Sequence, residues 1–213
     1  MDKTEKAARS AKPGQIENCS PEQQTLTLQE ALDVGLQHHT AGDLSKAEDI
    51  YQQILQTDPN HPDALHLLGV IFQQKGENDR AVDLITKAIE IKPEYGEAHN
   101  SLGVALKEQG KLDEAVASYH RALTLKPDYA EANHNLGLVL QNLGKPDEAI
   151  SSYQNAVAIK PDYAEAHNNL GNVLQNWGSL MKPLKAIVRP SPSSPITPRR
   201  ITTFTLCCLI PVI

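Results

Sequence analysis

Eight histidines and three cysteines are the side chains of this chain that could hold a metal or move a proton. Zinc needs three or four ligands converging on one point. His66, His99, His134 and His167 are each separated by more than thirty residues, and the neighbours His38 and His39 point to different sides of any helix that carries them. No metal site and no cofactor are expected from such a pattern. Cys19, Cys207 and Cys208 are odd in number and lack metal-ligand spacing, so they imply a reducing, cytoplasmic setting rather than a disulfide framework. Nucleophilic and phosphate chemistry leave no trace, because there is no glycine-rich phosphate loop and no serine or cysteine with a base at a known spacing. The acidic pairs Asp113-Glu114 and Asp147-Glu148 recur where helices would begin, and carboxylates are stabilised at the positive end of a helix. No enzymatic activity is expected from these residues.

The amides are more suggestive. Asn100, Asn135 and Asn169 recur almost evenly, accompanied by His134 and Asn168. A side-chain amide donates and accepts at once, so a ladder of them on one wall could grip the backbone of an extended peptide whatever its side chains. The plain alternative is that asparagine is simply a soluble residue for an exposed wall.

What must position these residues is set by a period of 34. Gly35, Gly69, Gly103, Gly137 and Gly171 keep that step, and so do Gly42, Gly76, Gly110, Gly144 and Gly178. Ala47, Ala81, Ala115 and Ala149 keep it, as do Pro59, Pro93, Pro127 and Pro161. Four residue classes in one phase divide the chain into blocks 28–61, 62–95, 96–129 and 130–163, with a partial fifth at 164–177. Within block 96–129, Ala98, Leu102, Ala105 and Leu106 form one apolar stripe at helical spacing. Gly103 clears space for a partner helix and Gly110 ends the first helix. Ala115, Tyr119 and Ala122 then give the second helix its buried face, which makes Tyr51, Tyr119 and Tyr153 core residues rather than stacking platforms for bases. Each block is thus a helical hairpin, and a single hairpin cannot bury its own apolar face, so the blocks must stack.

Composition agrees with an all-α reading. Only 4% of residues are aromatic against 40% apolar, as suits helices approaching through alanine and glycine. The net charge of −6 conceals an asymmetry: residues 178–213 carry five basic and no acidic side chains, which leaves −11 on residues 1–177. An acidic body repels phosphate backbones, so no nucleic-acid partner is expected. Residues 1–27 read as a polar, disordered leader without the apolar run of a signal peptide. The apolar run ITTFTLCCLIPVI is too short to span a bilayer and holds Pro211, so no membrane partner is expected either.

The landmarks His99, Leu102-Gly103, Leu106, Ala115, Tyr119, Ala122 and Pro127, and Asn133, Leu136-Gly137, Leu140, Ala149, Tyr153, Ala156 and Pro161 one block later, resemble the tetratricopeptide repeat pattern. Where that pattern has tryptophan this chain has Ala31, Leu65, His99, Asn133 and His167, which should loosen packing slightly. The resemblance implies an all-α, right-handed superhelical solenoid of antiparallel helix pairs, its concave wall lined by the first helix of each pair. It implies a protein-binding scaffold, with Asn100, His134, Asn135, Asn168 and Asn169 lining a groove for a peptide or helix. None of these is basic, so the family's clamp for a terminal carboxylate is not expected. The amide ladder and the opening repeats are similar to those of bacterial O-linked N-acetylglucosamine transferase-like proteins. The alternative is therefore the recognition arm of a glycosyltransferase or sulfotransferase whose catalytic domain lies elsewhere. The partner and the oligomeric state stay open.

After Trp177 the pattern fails. Pro183 stands where earlier blocks have the packing alanine, and beyond Gly178 there are six prolines but no glycine and no acidic residue. Joining the third base of each codon to the first two of the next, every junction from Gly178/Ser179 to Thr203/Phe204 can be read, with one consistent set of codons, as KLDEAIESYRQALSIKPDYAEAHNNL. That is the next repeat in phase. Loss of one base, turning TTG GGG AAG into TGG GGA AGC, accounts for Trp177-Gly178-Ser179 as well. Agreement ends after Phe204. Residues 178–213 are accordingly expected to be an out-of-frame, disordered tail.

Overall fold

The computed structural model describes residues 27–187, with side-chain surroundings as far as Asn176. Nearly all of the leader at residues 1–27 and the end of the tail, residues 188–213, lie outside that range. Among the described residues there are nine helices and no strand: α1 Leu28–Thr40, α2 Leu44–Thr57, α3 Pro62–Gln74, α4 Asn78–Ile91, α5 Gly96–Glu108, α6 Leu112–Leu125, α7 Ala130–Asn142, α8 Pro146–Ile159 and α9 Ala164–Ile187.

The turns inside the hairpins follow one mechanism. Gly110 has φ +76, donates to Lys107 O at 2.9 Å, and is followed by Lys111 donating to Leu106 O at 3.0 Å. These paired bonds satisfy carbonyls that the helix end would leave open, and the left-handed residue they need is a glycine. Gly42, Gly76 and Gly144 repeat the conformation. At the chain's first helix, Thr27 and Glu30 close a reciprocal capping box.

Burial follows the small residues. Ala47, Ala81, Ala115 and Ala149 are wholly buried, as are Tyr51, Tyr119 and Tyr153, with Ile85 in the tyrosine's place in the second hairpin. A Cβ built on Gly103 would lie 2.6 Å from a ring carbon of Tyr119, and one on Gly137 2.6 Å from Tyr153. The ring therefore lies directly on the neighbouring backbone, which explains why glycine and tyrosine recur sixteen residues apart. The interior falls into two apolar clusters that share partly buried Val82 and Leu102: Leu32, Tyr51, Leu68, Ile85 and Ala98 belong to one, and Leu106, Tyr119, Leu136, Tyr153 and Val173 to the next.

Each helix packs on its neighbours in sequence. In addition α3 touches α5, α5 touches α7 and α7 touches α9, whereas the even-numbered helices have no comparable mutual contact among the described residues. The odd-numbered helices therefore stand closer together and line the inside of the curve. One difference from the sequence expectation appears at α9. The 34-residue period places the end of this helix at Gly178, yet α9 continues through Gly178 and Pro183 to Ile187. A glycine stops a helix when a returning helix rewards the turn; the sequence after Gly178 lacks the second-helix pattern of the earlier blocks, and a proline inside a helix can kink it rather than end it.

Candidate protein-binding surface

The side chains expected to form the groove separate into two sets. Block position five holds His66, Asn100 and His134, only 6%, 9% and 5% exposed. Each faces the next hairpin. His66 Nδ1 pairs with the Tyr95 hydroxyl at 3.0 Å and Nε2 with Ser101 Oγ at 2.9 Å. Asn100 Nδ2 donates to the Tyr129 hydroxyl at 3.4 Å, and its Oδ1 accepts from Asn135 Nδ2 at 3.2 Å. His134 Nδ1 pairs with the Tyr163 hydroxyl at 3.2 Å and Nε2 with Asn169 Nδ2 at 2.9 Å. Three times, then, a polar residue of one first helix meets the tyrosine that leads into the next first helix and a polar side chain on that helix.

Local structure places these tyrosines. Tyr95 and Tyr129 are the residues before α5 and α7, outside the helical conformation, so each ring reaches back towards the preceding hairpin. Lys92, Lys126 and Lys160 lie over the rings of Tyr95, Tyr129 and Tyr163 at 4.3, 4.7 and 5.0 Å. The same lysines pair with Asp63, Glu97 and Glu131 at 3.6, 3.0 and 3.8 Å. Burial pushes the His66 imidazole down to about 4, although Asp63 and Glu97 oppose the shift, and it lowers His134 as well. Both imidazoles are neutral at pH 7, as a joint made of uncharged hydrogen bonds requires.

Asn100 and His134 are therefore corrected from groove residues to joint residues: their polar atoms are spent on neighbours and little of them meets solvent. Asn135 and Asn169 are half-buried on the inner helices. Each spends its amide nitrogen on the joint, which leaves the carbonyl oxygen uninvolved in that bond. Three residues further on, and so on the same helix face, stand half-buried Leu138 and exposed Asn172, and half-buried Val104 holds the same place three residues after Ser101 on α5. The inner wall thus carries an apolar strip beside oriented amides. Asn168 is exposed and meets no tyrosine among the described residues. Two further histidines close turns: His99 Nε2 bonds Pro93 O at 3.1 Å and His167 Nε2 bonds Pro161 O at 2.9 Å. Among the described residues no three histidine, cysteine or carboxylate side chains converge as metal ligands would. Nor is any described helix long and apolar enough to cross a membrane.

The joints were missed in the sequence because their partners stand 29 and 35 residues apart, either side of the 34-residue step. The signal was present in the recurrence of Tyr95, Tyr129 and Tyr163, which no core role explains.

Stacked hairpins joined in this way define a helical-repeat solenoid. Family models described as tetratricopeptide repeat match residues 38–105, 105–144 and 142–178. The chain belongs to the tetratricopeptide repeat family. Among solved structures it is similar to the protein MamA, at 29% identity and a TM-score of 0.62, over 72% of this chain and 90% of that one. It is also similar to pilF of Pseudomonas aeruginosa, at 24% identity and a TM-score of 0.67, over 71% and 69% of the two chains. A thermophilic TPR protein of Thermus thermophilus matches at 24% identity and a TM-score of 0.62, over 75% and 87%. The last two likenesses speak to the fold alone. No curated protein sequence matches the chain significantly.

Proposed function

We propose that this chain is a non-catalytic, cytoplasmic scaffold that holds a peptide or helix of another protein along the inner wall of α3, α5, α7 and α9. The observation that carries the reading is the pairing of Asn135 and Asn169, oriented by their bonds to Asn100 and His134, with the apolar strip of Val104 and Leu138 beside them. Groups held in place before a ligand arrives lose less freedom on binding. An extended segment would lay its side chains on the strip and offer backbone N–H groups to the two amide oxygens.

The test uses peptides selected by display against the immobilised full chain. Asn135→Ala combined with Asn169→Ala should weaken the best peptide by about thirtyfold, two neutral hydrogen bonds being worth about 1 kcal/mol each. The same variant should melt only a few degrees lower. Unchanged affinity would remove the inner wall from the binding site.

A further inference from the structure

Four glycines in this chain are covered by the helix that follows them. A Cβ on Gly35, Gly103 or Gly137 would lie 2.5, 2.6 or 2.6 Å from the ring of Tyr51, Tyr119 or Tyr153, and one on Gly69 2.6 Å from Ile85. Gly171, the fifth of the series, would meet nothing within 4 Å among the described residues. The surroundings of Gly171 are uncovered in the same systematic way. Leu174 is 47% exposed. Asp63, Glu97 and Glu131 each pair with a lysine of their own hairpin, whereas Glu165, their counterpart, has no ion pair among the described residues. His66, Asn100 and His134 each hold a tyrosine and a polar side chain of the next hairpin, and exposed Asn168 holds neither. The continuation of α9 runs along its own axis and does not return over this face.

An occupant can be spelled from codons compatible with the chain's own residues, read one base out of phase. In the shifted reading KLDEAIESYRQALSIKPDYAEAHNN, counted from Gly178 with the lost base restored, each vacancy meets its usual partner at its usual distance. An alanine falls twelve residues past Gly171, as Ala115 does past Gly103, and the first tyrosine falls sixteen past it, as Tyr119 does. The lysine before the proline stands as far from Glu165 as Lys126 from Glu97. The second tyrosine and the last asparagine stand as far from Asn168 as Tyr129 and Asn135 do from Asn100. These spacings follow from the repeat's phase; what the structure adds is that the positions they reach, Gly171, Glu165 and Asn168, lack those partners among the described residues. The charges are complementary too, with a lysine meeting a bare carboxylate.

We propose that the uncovered face of α9 is a docking site for a segment of this sequence, a helix followed by the turn into the next one, encoded one base out of frame after Trp177. Its first tyrosine lies on Gly171, its alanine lets the two backbones approach, its lysine pairs with Glu165, and the following tyrosine and asparagine engage Asn168. The site is distinct from the inner-wall groove, so either can fail alone.

The experiment titrates the full chain with the synthetic peptide KLDEAIESYRQALSIKPDYAEAHNN, labelled for fluorescence anisotropy, and follows helix content by circular dichroism. Saturable one-to-one binding with a gain in helix is expected. A peptide with alanine for its first tyrosine should bind at least about tenfold more weakly, as a buried aromatic anchor does when truncated. Gly171→Leu should weaken the unaltered peptide equally while leaving the melting temperature of the free chain unlowered, since the new side chain enters open space. Failure of the peptide to bind overturns the proposal, as does equal binding by a scrambled peptide or by Gly171→Leu. A free chain that self-associates, and becomes monomeric in Gly171→Leu, would assign the face to a second copy instead. Sequencing the coding region is the other arm: codons that do not spell the repeat in the shifted frame would remove the occupant named here.

Discussion

At the scale of single residues, the joints turn histidines into pH-dependent fasteners. His66 has an ordinary value of 6.5 when unfolded and about 4 when folded, because burial disfavours the imidazolium. The folded state therefore binds fewer protons between these values. The stability contributed by the neutral joint is complete above the unfolded value and is lost progressively as pH falls towards the folded one. At about 1.4 kcal/mol for each pKa unit, the ceiling for His66 is about 3 kcal/mol. Melting curves recorded from about pH 7 to pH 4 should show the melting temperature falling with pH, and His66→Asn should flatten the slope. Asparagine already fills the same place as Asn100 and does not titrate. An identical slope in the variant would show that other groups set the acid response. The sequence disclosed that these histidines were too scattered to bind metal, but not that they were buried. Burial at position five depends on the angle at which the next hairpin arrives, and that angle is fixed by rings and small residues a whole repeat away.

At the scale of helices, the glycine and tyrosine landmarks were legible because both are constrained at once by turn geometry and by close packing. Their asymmetry along the chain can be tested. Gly103→Ala places a methyl 2.6 Å from the Tyr119 ring, which is wholly buried and has no room to withdraw. The loss should be about 1–3 kcal/mol, the usual cost of overpacking. Gly171→Ala meets nothing within 4 Å and gains up to about 1 kcal/mol of helix propensity. Urea unfolding of the two variants should thus move the midpoint in opposite directions, and parallel losses would contradict the packing described. The end of α9 was not legible. Gly178 looked like the earlier turn glycines, yet a turn is selected by the helix that packs back after it, and the residues following Gly178 do not carry that helix's pattern.

At the scale of the whole molecule, each hairpin is held by its neighbours alone, so stability is expected to add along the stack rather than to rest on one core. Among the described residues the last helix packs mainly on α8 and, more sparingly, on α7. Hydrogen exchange should consequently be slowest in α3 to α8 and fastest in α9, with the boundary near Ile159. Local opening of a segment with few buried apolar contacts needs little free energy. Uniform protection from α1 to α9 would instead mean that the array unfolds as one unit.

The longest of the repeated contacts, from Asn100 to Asn135, spans 35 residues, so none of them skips a hairpin. A duplicated or deleted unit of 34 residues would bring every tyrosine, lysine and amide to the same socket as before. Unequal recombination between such similar repeats can therefore lengthen or shorten the array without spoiling its joints. Slippage by a single base is different in kind, because it erases every plug at once while leaving the last socket, around Gly171, intact and open.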